Sequence, residues 1–433
     1  MDDGASLLLI AFGVVAAVWL IALAALRPRQ VVPVIAVAGI VCSRPSLIGE
    51  RFPTLGAILL LIAAAFALFS GRGTNTFRTG WFAILVGLAY FWLLVHEAIV
   101  PNSEASLTSI LLTTALPIIL FWFIARDRGY LEQSIIGLTT VVVVVAALSL
   151  VSFAVGAIIG FGATHVANVP LGYSDRGVGL LLPGGFTYGG TLSEGFPRML
   201  GLGREPGMGA IYYAWAFFAI PATWRHRSVL RWVVLLGALL TTQSTAGVAL
   251  FTISLALWVV FGRDRIRPLV ALLALGASAA IAYLAIFDTS FGVLSKLETT
   301  SYDERNAATL RGLEALQLNF WDSATTLPLS NVNLIAGVDA HGGPWLVILG
   351  VLLITALIRS GRQNPMTYAA LFIALTVLAS QPIIDTPAIL IMLFICVASR
   401  PVRPAPELER LEPAERRSVT KSGSDGSRSA TVQ

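Results

Sequence analysis

Three short stretches of the chain put Arg, Glu and His beside Gly and Pro, between segments that are otherwise apolar. The first is Arg198-Met-Leu-Gly-Leu-Gly-Arg204-Glu205-Pro206-Gly-Met-Gly-Ala210. Pro206 suits the first turn of a helix, and the N–H groups of a helix start favour an anion. Arg198 and Arg204 could each grip a phosphate through two N–H groups at once. Glu205 is a candidate base, or a partner for one of these arginines. The same residues also suit a plain helix start braced by a salt bridge. The second stretch holds Lys296, Glu298, Asp303, Glu304, Arg305 and Arg311. Arg305 could reach a phosphate, and the whole run also reads as a solvated charged face. The third is Asp339-Ala-His341-Gly-Gly-Pro344-Trp345. A His at the mouth of a helix is easily poised near neutral pH as a general base, and it is as readily a structural hydrogen-bonder. Weaker signals are the polar break Thr241–Gly247, the pair His96-Glu97, and Gln381 with Asp385.

These residues stand out because the rest of the chain is so apolar. Of 433 residues 56% are hydrophobic and 12% are charged, about half the usual charged share. Mean hydropathy is +0.80. This excludes a soluble globular enzyme, a disordered protein and a secreted disulfide scaffold. Long continuous apolar runs, as in 7–26 and 134–160, argue against a β-barrel, whose strands alternate. The expected fold is an all-α polytopic membrane protein with about 12–13 transmembrane helices. The expected segments are 5–26, 31–42, 54–70, 80–99, 106–124, 134–160, 206–223, 229–240, 246–261, 269–286, 344–358, 366–379 and 387–397, several of them short for a span. The first is read as a retained helix rather than a signal peptide, since no basic segment precedes it.

Arginine placement gives orientation. Arg27/Arg29, Arg72/Arg78, Arg126/Arg128, Arg225/Arg228/Arg231, Arg263/Arg265/Arg267, Arg359/Arg362 and Arg400/Arg403 fall in alternate gaps. By the positive-inside rule those gaps are cytoplasmic. The N-terminus is then outside and the C-terminus inside. Two outward gaps are long, 161–205 and 288–343. Within the second, Leu310, Leu313, Leu316 and Phe320 recur at helical spacing, which reads as a helix on the outer membrane surface or as part of a small folded loop domain. The transmembrane domain is expected over 1–400. The tail, 401–433, is rich in Pro, Ser, Glu and Arg and reads as a disordered cytoplasmic segment. Cys42 and Cys396 fall near opposite faces and cannot pair. No Cys/His spacing suits a metal, so neither metal nor cofactor is expected. The net charge of +5 reflects loop arginines rather than a nucleic-acid partner. The Arg, Ala, Gly and Leu bias points to a bacterial source.

Taken in order, the stretches resemble the O-antigen ligase and O-antigen (polysaccharide repeat-unit) polymerase superfamily of bacterial membrane glycosyltransferases. The residues that carry this are Arg198, Gly201, Glu205 and Pro206 at a helix start, then Gln243-Ser244-Thr245-Ala246-Gly247 at a helix break. An Arg heading a helix in a large outer loop follows, Arg305 or else Arg311. His341 then stands just before the next span, followed by Leu346 and Gly350. The resemblance covers roughly 130–360. Gly342 follows His341 where ligase-type members carry Asn, and Thr245 stands where they carry Arg. Both point to a polymerase-like or divergent ligase-like member.

The resemblance implies a polyprenyl-diphosphate-linked oligosaccharide as substrate, a second glycan as acceptor, and reaction on the outer face of the cytoplasmic membrane, with other polysaccharide-assembly proteins as possible partners. Substrate binding would fall to Arg198, Arg204, Arg305 and Arg311, and base catalysis to His341 or Glu205, with inversion at the sugar carbon. Two other classes compete. A transporter or flippase would place its charges near the midplane, whereas here they sit at the rim. A scaffold of an envelope machine would tolerate exchange of the rim arginines.

Overall fold

The computed structural model describes residues 28–70, 80–100, 110–171, 174–188, 196–223, 229–262, 276, 300–321, 332–379 and 386–399. The first expected span, the segment 269–286 apart from residue 276, the arginines at 27, 72, 78, 225, 228, 263, 265, 267, 400 and 403, Lys296, Glu298, Gln381, Asp385 and the tail lie outside them. All the longer helices but Thr300–Leu318, which lies in the second long gap, fall on the apolar segments. They are α1 (Pro28–Val41), α2 (Leu55–Phe69), α3 (Gly80–Ile99), α4 (Leu116–Ile124), entered through a π turn at Leu111–Ala115, and α5 (Arg128–Ile159). Then come α6 (Pro206–Thr223), α7 (Val229–Thr241), α8 (Thr245–Phe261), α9 (Thr300–Leu318), α10 (Gly343–Ser360), α11 (Pro365–Ala379) and α12 (Pro387–Ala398).

Among the described residues, three helices are long and apolar enough to cross a membrane: α3 with 20 residues, α5 with 32 and α10 with 18. At 1.5 Å per residue, α5 is about 48 Å long, more than a bilayer core of roughly 30 Å. Its start is set locally. Asp127 caps it, accepting from the N–H groups of Gly129 and Tyr130, and Arg128 pairs with Glu132 one turn on. Seven further apolar helices among the described residues, α1, α2, α4, α7, α8, α11 and α12, are shorter, as their sequence runs foretold.

The core sits on α6. From Met208 to Ile220 each apolar side chain is at most 6% exposed. A helix apolar on every side must be covered on every side. Here α5, α7, α8 and α11 surround it, and the Trp215 indole donates to the Met392 carbonyl of α12 at 3.3 Å. The remaining helices add to this centre: α1 packs on α2 and α5, α2 on α4, and α3 on α10.

Cross-links between helix ends sort into two sets. In one set the Tyr130 hydroxyl donates to Ser70, Arg359 lies over the Trp81 ring, and Asn364 donates to the Ser399 carbonyl. Arg126 lies near these, over Trp122 and Phe123. In the other set, Ala388 N–H donates to the Arg44 carbonyl, the Trp92 indole to that of His341, and Met199 N–H to that of Thr241. Each link joins ends that the arginine count assigns to one side.

The first long loop departs from the all-α expectation. It forms a three-stranded antiparallel sheet, β1 (His165–Leu171), β2 (Ser174–Leu181) and β3 (Gly185–Tyr188), in that order. Val178 faces Tyr188 and Leu181 faces Gly185 in the second pairing. Ser152 of α5 anchors the turn into β3 by accepting from Gly185 N–H at 2.8 Å. The strands are short, four to eight residues each, so no long period marks them in the sequence.

Candidate functional site

The Arg198–Arg204 run is zipped in place along both edges. On one side Tyr188 N–H donates to the Arg198 carbonyl, and Leu200 N–H to that of Phe186, so the run extends the sheet. On the other side it meets the connection between α1 and α2. Leu47 N–H donates to the Leu202 carbonyl at 3.1 Å, and Arg204 N–H to that of Pro45 at 2.8 Å. Glycine makes the fit possible. Gly201 has φ +61°, and a side chain there would run into the Tyr213 hydroxyl. A Cβ at Gly209 would strike the Leu200 carbonyl oxygen.

Held this way, Arg204 reaches Glu50. The carboxylate lies on a short helix, Leu47–Arg51, whose start Ser46 caps by accepting from Gly49 N–H at 2.9 Å. Glu50 Oε1 accepts from Arg204 Nη1 at 2.8 Å, and Oε2 lies 3.5 Å from Arg44 Nε. The Glu50 side chain is 4% exposed, that of Arg204 13% and that of Arg44 29%. Two guanidinium groups thus share one nearly buried carboxylate. Such a pair in low dielectric demands good geometry, because desolvating both ions is costly. Tyr212, one and a half turns into α6 and fully buried, lies within electrostatic reach of Glu50.

The polar break 241–247 is drawn to the same place. α7 ends at Thr241, Gln243 adopts φ +49°, and Ser244 caps α8 by accepting from Gly247 N–H. The Gln243 amide donates to the Phe196 carbonyl at 3.2 Å. Met199 N–H donates to Thr241 at 3.0 Å. Two of the motifs singled out in the sequence therefore form one structure. Arg198 and Glu205 are each half-buried within it, and the Glu205 carbonyl accepts from Gly209 N–H in the first turn of α6.

His341 belongs to a second group. It ends a short helix, Gly337–His341, and Gly342, at φ +77°, turns the chain into α10. The His341 ring meets Trp345 edge-on at 5.7 Å. Its neighbour Asp339 pairs with Arg311 of α9 at 3.3 Å. His96 is 5% exposed and packs beside Trp92 and close to Gly342. Arg305 is half-buried, two turns before Arg311, and its carbonyl accepts from the Thr309 hydroxyl. Of the two loop arginines, Arg311 is therefore the one placed beside the His341 segment. The described contacts leave the Glu50 group and the His341 group as two neighbourhoods.

The face of α9 that packs is not the leucine face. Ala308, Gly312 and Ala315 are buried, while Leu310 is 56% and Leu313 40% exposed. The reason is close approach: a Cβ at Gly312 would overlap the Ile335 carbonyl. Asn333 fixes the opposing segment by donating to Thr309 at 2.9 Å.

Sequence reasoning passed over Arg44 and Glu50. Both lie in a short gap that the arginine count assigns to the outer side. A signal was present, since Arg44, Glu50 and Arg51 are unexpectedly many charges for such a gap, and cations there call for a partner. Among the described residues no three His, Cys, Asp or Glu side chains gather as a metal site would require. No protein-family model, curated protein or solved structure matches the chain.

Proposed function

We propose that the protein is a membrane glycosyltransferase that polymerises or ligates polyprenyl-diphosphate-linked oligosaccharides on the outer face of a bacterial cytoplasmic membrane. One observation carries the reading. The Arg198–Arg204 run, the 241–244 break and the Arg44–Glu50 connection converge on one end of an apolar helical bundle, away from the end bearing Arg126 and Arg359. With the latter end cytoplasmic, the converging residues face outward. The order of the motifs, from Arg198 through Ser244 to His341, supports the same family reading.

The chemistry then follows from the residues. An acceptor hydroxyl attacks the anomeric carbon of the lipid-linked sugar. The carbon–oxygen bond to the diphosphate breaks, and its electron pair stays on the leaving diphosphate. Fixed guanidinium groups of Arg198, Arg204 and Arg311, with Arg305 further along the same helix, stabilise that charge where water is scarce. The hydroxyl proton goes to His341 or Glu205. A single displacement inverts the anomeric centre, as in single-step glycosidases.

The test is turnover by purified protein in liposomes, with lipid-linked oligosaccharide as substrate and no ion gradient. Longer or transferred glycan is expected, and its loss in Arg204→Ala and His341→Ala. Movement of the lipid-linked sugar across the bilayer without new glycosidic bonds would make the protein a transporter instead.

A further inference from the structure

Three elements bring aromatic rings to the turn that leads into α10. Gly343 N–H donates to the Phe320 carbonyl at 2.6 Å, and a side chain at Gly343 would overlap the Phe320 ring. A Cβ at Gly342 would stand 3.4 Å from the Trp321 carbonyl oxygen. The segment that follows α9 therefore lies against these two glycines. From α3, the Trp92 indole donates to the His341 carbonyl at 2.7 Å. Trp321 meets Trp92 edge-on at 6.0 Å and Phe320 at 5.1 Å. Trp92 and Phe320 are partly covered, but Trp321 is 64% exposed. An indole fixed by its neighbours, yet open over most of its surface, has room for a flat ligand. His341 is half-buried at its edge, and two residues before it Asp339 pairs with Arg311.

We infer that Trp321, backed by Trp92 and Phe320, is the platform on which one sugar ring of a glycan lies beside His341. A sugar ring has an apolar C–H face and a rim of hydroxyls. The indole covers the first, and the imidazole takes up the second. Aromatic lining with a few placed polar groups is how such ligands are oriented. The bilayer suits this surface less well. Asp303, Glu304 and Glu314 are exposed on α9, whereas a helix lying in the headgroup layer carries Lys and Arg on its polar face. The inference rests on the proposed function for one point, that the glycan is the acceptor whose hydroxyl gives its proton to His341.

The test reads binding and turnover separately. Full-length protein in detergent is applied to an array of immobilised bacterial surface oligosaccharides. Wild type is expected to bind a subset, Trp321→Ala to bind it about 10-fold more weakly, and Trp321→Phe, which keeps an aromatic face, to bind within a few-fold of wild type. Because the side chain is exposed, both variants should melt as wild type does. In the liposome transfer assay Trp321→Ala should raise the KM for acceptor by a similar factor and leave kcat nearly unchanged. Equal array binding by wild type and a normally melting Trp321→Ala overturns the platform, as does wild type that binds no glycan. A second measurement needs no glycan. In nanodiscs of brominated phosphatidylcholine, which quenches indoles it touches, wild type and Trp321→Phe should be quenched alike. Quenching that disappears with Trp321, one of ten tryptophans, would make it a bilayer anchor and overturn the platform. Glycan binding without transfer would sink the proposed function and leave the platform standing. Transfer with an unchanged acceptor KM in Trp321→Ala would do the opposite.

Discussion

Arg204 shows how much depends on one side chain at this site. Its removal takes from Glu50, 4% exposed, the shorter of its two arginine contacts, 2.8 Å against 3.5 Å. Breaking one partner of a buried ion pair costs about 3–5 kcal/mol, since the remaining charge stays desolvated. Arg204→Ala should therefore lower the midpoint of thermal unfolding as well as abolish transfer. Arg204→Lys keeps the charge and loses the planar fork. It should melt within a few degrees of wild type and still lose most activity. Equal melting of Arg204→Ala and wild type in a detergent-stable preparation would show that the pair is too solvated to matter. The arginine itself was legible in the sequence, as a cation close to a helix start. Its partner was not, because Glu50 is brought to it across 154 positions by backbone pairing that carries no side-chain pattern.

At the scale of elements the sequence was most legible where a helix must hide an apolar surface. The expected segment 206–223 coincides with α6, and 80–99 with α3, because polar punctuation marks each end. It was least legible where packing follows backbone approach rather than hydrophobicity. On α9 the leucines recur at helical spacing and stay exposed, while small residues, which carry no such signal, supply the face that packs. A prediction belongs here. Gly312→Val should lift α9 from the 335–336 segment, since even a methyl group overlaps the Ile335 carbonyl. Overpacking of this kind costs about 1–3 kcal/mol. Limited proteolysis should cut within 300–321 faster than in wild type, while the run 196–206 stays as protected as before. Coupled loss of both would mean that the His341 and Glu50 groups behave as one unit. The sheet 165–188 teaches the same lesson: its register is set by neighbours inside the loop and by Ser152.

The whole molecule turns on which end of the bundle faces outward. The two cysteines already separate its ends. Cys42 lies two residues before Arg44, whose carbonyl meets Ala388. Cys396 lies eight residues further along α12, about 12 Å by helical rise and beyond the roughly 7 Å that a disulfide allows between Cα atoms. In a background with both cysteines replaced by serine, single cysteines at two exposed positions report the sides. Asn168, on β1, and Gln363, between α10 and α11, are both exposed. A membrane-impermeant maleimide should label Asn168→Cys on intact cells, and Gln363→Cys only after the inner membrane is opened. The reverse pattern would put Arg198, Arg204 and His341 in the cytoplasm. A nucleotide-activated sugar rather than a lipid-exported glycan would then be the natural donor, and the positive-inside reading of the arginines at 126, 128, 359 and 362 would have to be abandoned with it.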